Sequence, residues 1–443
     1  MSIIRDWAAF VCGAPVNTLP EAERAVQRRH TADTLVAAAA GSRTTEGRAL
    51  RALLPRDAVS DAIGLQAAVI RHTEIDDIHT RSCTTPSSVT VPAALSLARD
   101  QGEFYPEHVA SAIWVGTELM TRLGVAVDGA RILYRGLWPT YFTAPLAAAA
   151  IAARSWRLSE EQTAHALSLA LMLSAGRSGR FQGKLPGRPV ILAMAVSAGI
   201  RAAAAARDGV GGDPDLLDGP WLRDAQGLNA DTSALTSRLG AGSVYAQLSL
   251  KPFCAAKQSI AAVEALMTLI DEGLSPDAVT RIQVRVPPPY ARMIAMKAEA
   301  GARSSTYVSA AFQMGLAAYC RERLFDIERA DVMQDDVARF AEKIEIVADE
   351  SLLELFPGHF PAEIEVTAAG QVLRRRVTAA LGDPEHPLDN AQLLDKAERV
   401  SQQMNGAFDA KRLIALGLAG LQDKAACKPL ADTMWDACTA DGG

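Results

Sequence analysis

Ile132-Leu-Tyr-Arg-Gly-Leu-Trp138-Pro-Thr-Tyr-Phe-Thr-Ala144-Pro-Leu-Ala-Ala-Ala-Ala-Ile-Ala-Ala153 is the stretch that sets the fold class. An aromatic turn, Gly136 to Tyr141, opens onto an alanine-dense run from Ala144 to Ala153. Two more apolar runs follow, Ala164 to Ala175 and Pro189 to Ala206. Alanine has no side-chain rotamers to lose and is the best helix former, so three helices are predicted. Their small side chains let the helix axes approach closely. Between the second and third runs lies a glycine-rich loop, Gly176 to Arg188, carrying Arg177, Arg180, Lys184 and Arg188. Cations at the rim of a buried surface suit an anionic ligand, and they equally suit a solvated connection.

Outward from this stretch the pattern stays helical. Residues 1 to 55 read as two helices, Arg5 to Cys12 and Leu19 to Ala40, the second with Pro20, Glu21 and Glu23 in its first turn. Helical spacing continues over Asp57 to Ile70, Ala93 to Gln101 and His108 to Gly124. The segment His72-Thr-Glu-Ile-Asp-Asp-Ile-His79 breaks this regularity. It packs three carboxylates and a histidine into six residues, then runs into the hydroxyl-rich stretch up to Pro92. At i, i+3 spacing Glu74 and Asp77 share one face of a helix, whereas His79 does not. Acid–base work competes here with a capping and turn role. No second histidine cluster completes a metal shell, so no metal is expected.

Composition changes near Lys251. Val279-Thr-Arg-Ile-Gln-Val-Arg-Val286 alternates apolar and polar residues, the period of a half-buried strand. A helix is predicted over Tyr307 to Tyr319 and a strand over Lys343 to Val347. Ala362 to Ala368 and Val372 to Thr378 then form a hairpin across Ala369-Gly-Gln371. Residues 251–390 thus form an α+β unit, and the chain from Asn390 is helical again, packing back on the first part. The expected architecture is mainly α with an α+β lid: a helical domain of 1–250 and 391–443, and a lid of 251–390.

At 443 residues two domains are the natural expectation. The net charge of −6 argues against nucleic acid, which calls for a basic face. Apolar runs are broken before the ~20 residues of a membrane span. No signal-peptide pattern opens the chain. The six cysteines lack Cys-x-x-Cys spacing, which points to reduced thiols and not to zinc. A soluble cytoplasmic protein is the expectation. Asp208-Gly-Val-Gly-Gly-Asp-Pro-Asp215 lacks the spacing of a phosphate-binding fingerprint, and no Gly-x-Ser-x-Gly elbow is present.

Several motifs then point one way: Pro86-Ser-Ser88 with Val91-Pro-Ala93, Lys251-Pro-Phe253, Ser304-x-x-Tyr307, and Gly382-Asp-Pro-Glu-His-Pro-Leu388 followed by Lys396. With the order helical domain, inserted α+β unit, helical return, the chain resembles the MmgE/PrpD family, from Leu19-Pro20 and Asp33 to Lys396. That family includes 2-methylcitrate dehydratase, cis-aconitate decarboxylase and iminodisuccinate epimerase. The resemblance implies a cleft between helical domain and lid, a homodimer and no cofactor. It also implies a small carboxylate or carbonyl substrate that loses a proton next to that group, in a lyase or isomerase reaction.

Carried over residue by residue, the resemblance is incomplete. The family's Asp-x-Asp-Asp is Glu74-Ile-Asp-Asp77 here. Its histidine before Pro-Ser is Thr85, and its general-base histidine before the next proline is Trp138. Its lysine ahead of the third helix falls on Arg188, with Lys184 a rival. Lys257 is kept, but the histidine three residues later is Ile260; Lys251 and Tyr307 are kept. The proton-transfer candidates are therefore Glu74, Asp77, His79, Lys184, Lys251 and Tyr307. Thr85, Trp138, Lys184, Arg188 and Lys257 are the substrate-binding candidates. An indole cannot exchange a proton near neutral pH, so Trp138 replaces a base with an aromatic surface on which a flatter, less charged substrate stacks. A repurposed enzyme isomerising or cyclising a larger, less polar metabolite, and a non-catalytic binding protein, are the competing expectations.

Overall fold

The computed structural model describes residues 2–15, 17, 19–176, 187–241, 244–329 and 334–439. The three apolar runs are the helices Pro139–Ser155, Glu160–Met172 and Arg188–Arg207. Ser159 and Gln162 close a capping box at the second, satisfying backbone N–H groups that have no partner within the helix. The first and third cross at Gly199, where a β-carbon would stand 2.2 Å from the Pro145 carbonyl oxygen. That contact admits only glycine. Arg188–Arg207 is long and apolar enough to cross a membrane by length and composition. Here it packs against Val59–Arg71, Pro139–Ser155 and Glu160–Met172 as a core helix.

One hydrophobic cluster draws mainly on Ile4 to Leu250 and Leu388 to Cys438, joined by Cys254, Tyr307 and Ile327. The return is made by helices Asn390–Gln403, Ala410–Ala419 and Lys424–Thr439. Ala410–Ala419 lies on Glu21–Gly41 so closely that a β-carbon at Gly417 would be 2.3 Å from the Ala32 Cα. The second cluster draws mainly on Phe253 to Ala380, joined by Ile78, Cys83 and Ala130.

Among the described residues there are six strands: β1 Asp77–His79, β2 Leu248–Leu250, β3 Val279–Val286, β4 Ile344–Ala348, β5 Ala362–Ala368 and β6 Gln371–Val377. The last four form one sheet in the order β4-β3-β5-β6, with β3 and β4 parallel and the other pairs antiparallel. Ile282, Val284 and Val286 of β3 are buried, so the alternation reads true. Helix Lys257–Asp271 packs against β5 and β6.

Three local expectations are corrected. Among the described residues the first 55 hold three α-helices, because Thr44 caps a further one, Thr45–Leu53. The helix placed at Ala93 begins at Ser87, with Pro92 in its interior. Tyr307–Tyr319 is two helices, Arg303–Val308 and Ala310–Tyr319, split at Ser309, whose side chain caps the second by accepting from the Phe312 N–H.

Candidate active site

Helix Val59–Arg71 ends at the acidic segment, and the chain leaves it through Glu74, which takes the left-handed backbone conformation with φ of 60°. Glu74 and Asp77 consequently do not share a helical face. Asp77 starts β1, which pairs antiparallel with β2, placing Asp77 opposite Leu250. This two-stranded ribbon brings Lys251, the residue after β2, against the acids. Its ammonium lies 2.9 Å from Glu74 Oε2 and 3.1 Å from Asp76 Oδ1. Arg71 completes a four-member cluster, 2.9 Å from Glu74 Oε1 and 3.3 Å from Asp76 Oδ1. All four side chains are buried.

Opposite this cluster the aromatic turn enters from the helical body. Trp138 donates its backbone N–H to Gly176 O at 2.8 Å, and Pro139 occupies the first helical position, where no N–H is needed. The indole is stacked with Tyr141, ring centroids 5.6 Å apart. The Arg188 guanidinium lies over it at 4.3 Å. Arg188 also donates to the Tyr307 hydroxyl at 2.5 Å. Glu74, Lys251, Thr85, Trp138, Arg188, Lys257 and Tyr307 together line one cavity of about 50 Å³. A larger cavity of about 350 Å³, with Cys12, His108 and Arg154 in its wall, lies in the helical body and contains none of the candidate residues. The smaller one is the candidate site, because it gathers Glu74, Lys251, Arg188 and Tyr307, which the sequence singles out, and the larger holds none of them.

The electrostatics assign different states to similar groups. Burial pushes the Glu74 carboxyl up, but Arg71, Lys251 and Arg188 outweigh it and hold Glu74 below the usual carboxylate range. Asp76 goes the other way: burial outweighs Arg71 and Lys251, with repulsion from Glu74 and Asp77 added. Burial disfavours the Lys251 ammonium, yet Asp76 and Glu74 more than offset it, so Lys251 stays charged. Burial raises Tyr307, partly countered by Arg188, so the phenol stays protonated.

Two proton-transfer candidates stand outside this cavity. Asp77 is buried against the helical body, 3.1 Å from His30 Nδ1, and accepts from the Ser87 N–H and hydroxyl at 3.1 and 2.5 Å. His79 is pinned between Ser82 at 2.8 Å and Gln247 at 3.4 Å, and burial pushes its pKa down to about 4. Neither lines the cavity that holds Glu74 and Lys251. Lys184 lies outside the described residues. Trp138 is already engaged by Tyr141 and Arg188, so a flat substrate stacking on it must displace one of them. Lys257 lines the cavity with its ammonium bonded to Asp383 of the Gly382-Asp-Pro loop. Asp383 also accepts from Ser249 at 2.7 Å and from the Ala380 N–H at 2.8 Å.

Arg71 and Asp76 were not among the sequence candidates. Arg71 reads as an ordinary cation in the last turn of a helix, and nothing in its spacing marks it. Asp76 sits inside the Glu-x-Asp-Asp motif, so its signal was present. Among the described residues no three His, Cys, Asp or Glu side chains are grouped to hold a metal ion.

Fold and site together define a helical protein with an inserted α+β unit that closes on a buried cluster of acids and cations. Residues 5–232 match the MmgE/PrpD N-terminal domain and residues 253–418 the MmgE/PrpD C-terminal domain. The chain belongs to the MmgE/PrpD family. It is also similar to a cis-aconitate decarboxylase-like protein, oryM, of Aspergillus oryzae. The two are 31% identical over 163 residues, which cover 35% of this chain and 33% of that protein.

Proposed function

We propose that this protein is a lyase of the dehydratase or decarboxylase type, acting on a small carboxylate without a cofactor. Family membership and the similarity to a cis-aconitate decarboxylase-like protein support the class. The observation that carries the reading is the convergence of Glu74, Lys251, Arg188 and Tyr307 on one cavity.

In this reading the groups divide the work. Arg188 receives the substrate carboxylate and stabilises the enolate developing on it, while Lys251, held charged between two acids, keeps Glu74 ionised. Glu74, the ionised carboxylate in the wall, accepts the proton from the carbon next to the substrate carboxylate. Tyr307 already accepts a hydrogen bond from Arg188, so its own hydroxyl proton is free to be delivered. Arg188 then stabilises the phenolate left behind. In a decarboxylation the carbon–carbon bond breaks, carbon dioxide leaves, and the resulting carbanion takes the Tyr307 proton. In a dehydration Glu74 takes the proton, the electron pair passes onto the carboxylate oxygens and then returns to form the double bond, and the hydroxyl on the next carbon leaves as water with the Tyr307 proton.

The test is incubation with cis-aconitate and simpler unsaturated acids in D₂O, following carbon dioxide release, hydration and deuterium incorporation. Tyr307→Phe and Glu74→Gln are expected to slow turnover by roughly 10²–10⁴-fold, the range for loss of a positioned acid or base. Turnover that survives Glu74→Gln, Lys251→Met and Tyr307→Phe made separately sinks the proposal.

A further inference from the structure

The cations around the cleft are not equivalent. Arg71 and Lys251 are each bonded to both Glu74 and Asp76. Lys257 is neutralised by Asp383, and Arg303, behind the wall, by Glu46 at 3.3 Å. Arg188 differs. Its partners are uncharged, the Tyr307 hydroxyl and the face of Trp138, and among the described residues no carboxylate stands within ion-pair distance of it. Glu74 attracts this guanidinium from beyond ion-pair distance, and a bound anion would add the direct contact that no described carboxylate makes.

The remainder of the wall is of another kind. Ile78, Leu133, Met293 and Val308 present aliphatic surface to the same cavity. Among the described residues, a second anionic group on a ligand would find Arg71 and Lys251 already bonded to acids and would face the ionised Glu74, where like charges repel.

We infer that the cleft selects a substrate bearing a single carboxylate, received by Arg188, with an uncharged olefinic or aliphatic body lying against Ile78, Leu133, Met293 and Val308. Guanidinium has five donors in a planar fork, so a carboxylate takes two while Tyr307 keeps another. The indole beneath holds the fork in its plane. Trp138 and Arg188 thereby act as one receptor, the ring positioning and the guanidinium binding. This inference rests on the cleft being the substrate site as proposed above.

The test is isothermal titration of the full chain, near neutral pH and at fixed ionic strength, with crotonate, maleate and cis-aconitate. These are olefins with one, two and three carboxylates. Crotonate is expected to bind about tenfold or more tighter than either polyacid, as one desolvated like-charge contact is worth at least that. Arg188→Gln is expected to cost crotonate about tenfold or more, with Arg188→Lys recovering part of the loss. Far-UV circular dichroism checks that both variants fold. Polyacid binding equal to or tighter than crotonate, crotonate binding indifferent to Arg188→Gln, or no crotonate binding at millimolar concentration overturns the inference. Deuterium exchange into cis-aconitate alongside weak crotonate binding sinks this inference and leaves the lyase reading standing. Arg188-dependent crotonate binding with no exchange or turnover does the reverse.

Discussion

The Lys257 ammonium is bonded to the Asp383 carboxylate across 126 positions of sequence. The pair joins the first turn of helix Lys257–Asp271 to the Gly382-Asp-Pro loop, and both partners are almost fully buried. Breaking a buried pair leaves a charge without compensation. Asp383→Asn and Lys257→Met are each expected to cost about 3–5 kcal/mol in urea unfolding, and the double variant distinctly less than their sum. Strict additivity would mean the pair contributes nothing as a pair.

Gly382 has a φ of 90°, and a β-carbon there would stand 1.9 Å from the Leu250 carbonyl oxygen. Leu250 in turn donates its N–H to Gly382 O at 2.9 Å, one residue before Lys251. Gly382→Ala combines backbone strain with a clash against main chain, so a loss of about 2–4 kcal/mol is expected. Activity is expected to fall further than stability alone explains, because Lys251 shifts with the strand. An unchanged urea midpoint would contradict the contact.

Lys251→Met leaves Glu74 and Asp76 facing one another with only Arg71 bonded to both. Both carboxyls then titrate higher in the folded protein, and protonation relieves them. The cost relative to wild type is therefore expected to be larger at alkaline pH and smaller toward pH ~5. Paired urea titrations at the two pH values measure it, and a pH-independent difference would refute the account.

Two buried histidines contribute to the loss of stability in acid. Burial, with Arg303 nearby, pushes His72 down to about 3; burial pushes His79 down to about 4. Unfolded histidine titrates near 6.5, so below that value the unfolded chain binds the extra protons and stability falls. The loss begins near pH 6.5 and continues until the folded-state values are passed. At pH 5 linkage gives on the order of 2 kcal/mol per histidine. His79→Asn and His72→Asn are each expected to reduce the fall of stability between pH 7 and pH 5 by on the order of 2 kcal/mol, read from urea unfolding at the two pH values.

The parts of the fold that sequence foretells are those with long, uniform patterning. Ile282, Val284 and Val286 alternate over the eight residues of β3, and the alanine runs leave no alternative to helix. The parts it hides are short or non-local. β1 and β2 have three residues each and all are buried, so no alternation exists to read. The same ribbon decides the site, since it carries Lys251 to Glu74 from 177 residues away. Glu74 and Asp77 suggested a shared helical face because i, i+3 spacing presumes helix. The positive φ of Glu74 ended that helix at a residue type that gives little warning of it. Arg71 was invisible for a related reason. Its role depends on where the chain goes after it.

Helix Glu21–Gly41 is covered by Ala410–Ala419, and Asp33 is bonded to Lys396 at 2.6 Å. An early helix thus waits for partners made nearly four hundred residues later. During synthesis the Asp33 carboxylate waits for Lys396 and the Ala32 surface for Gly417, whereas the β3–β6 sheet has all its strands by Val377. The inserted unit is able to assemble while the body that holds it is still open, and completion of the body is the step a chaperone must guard.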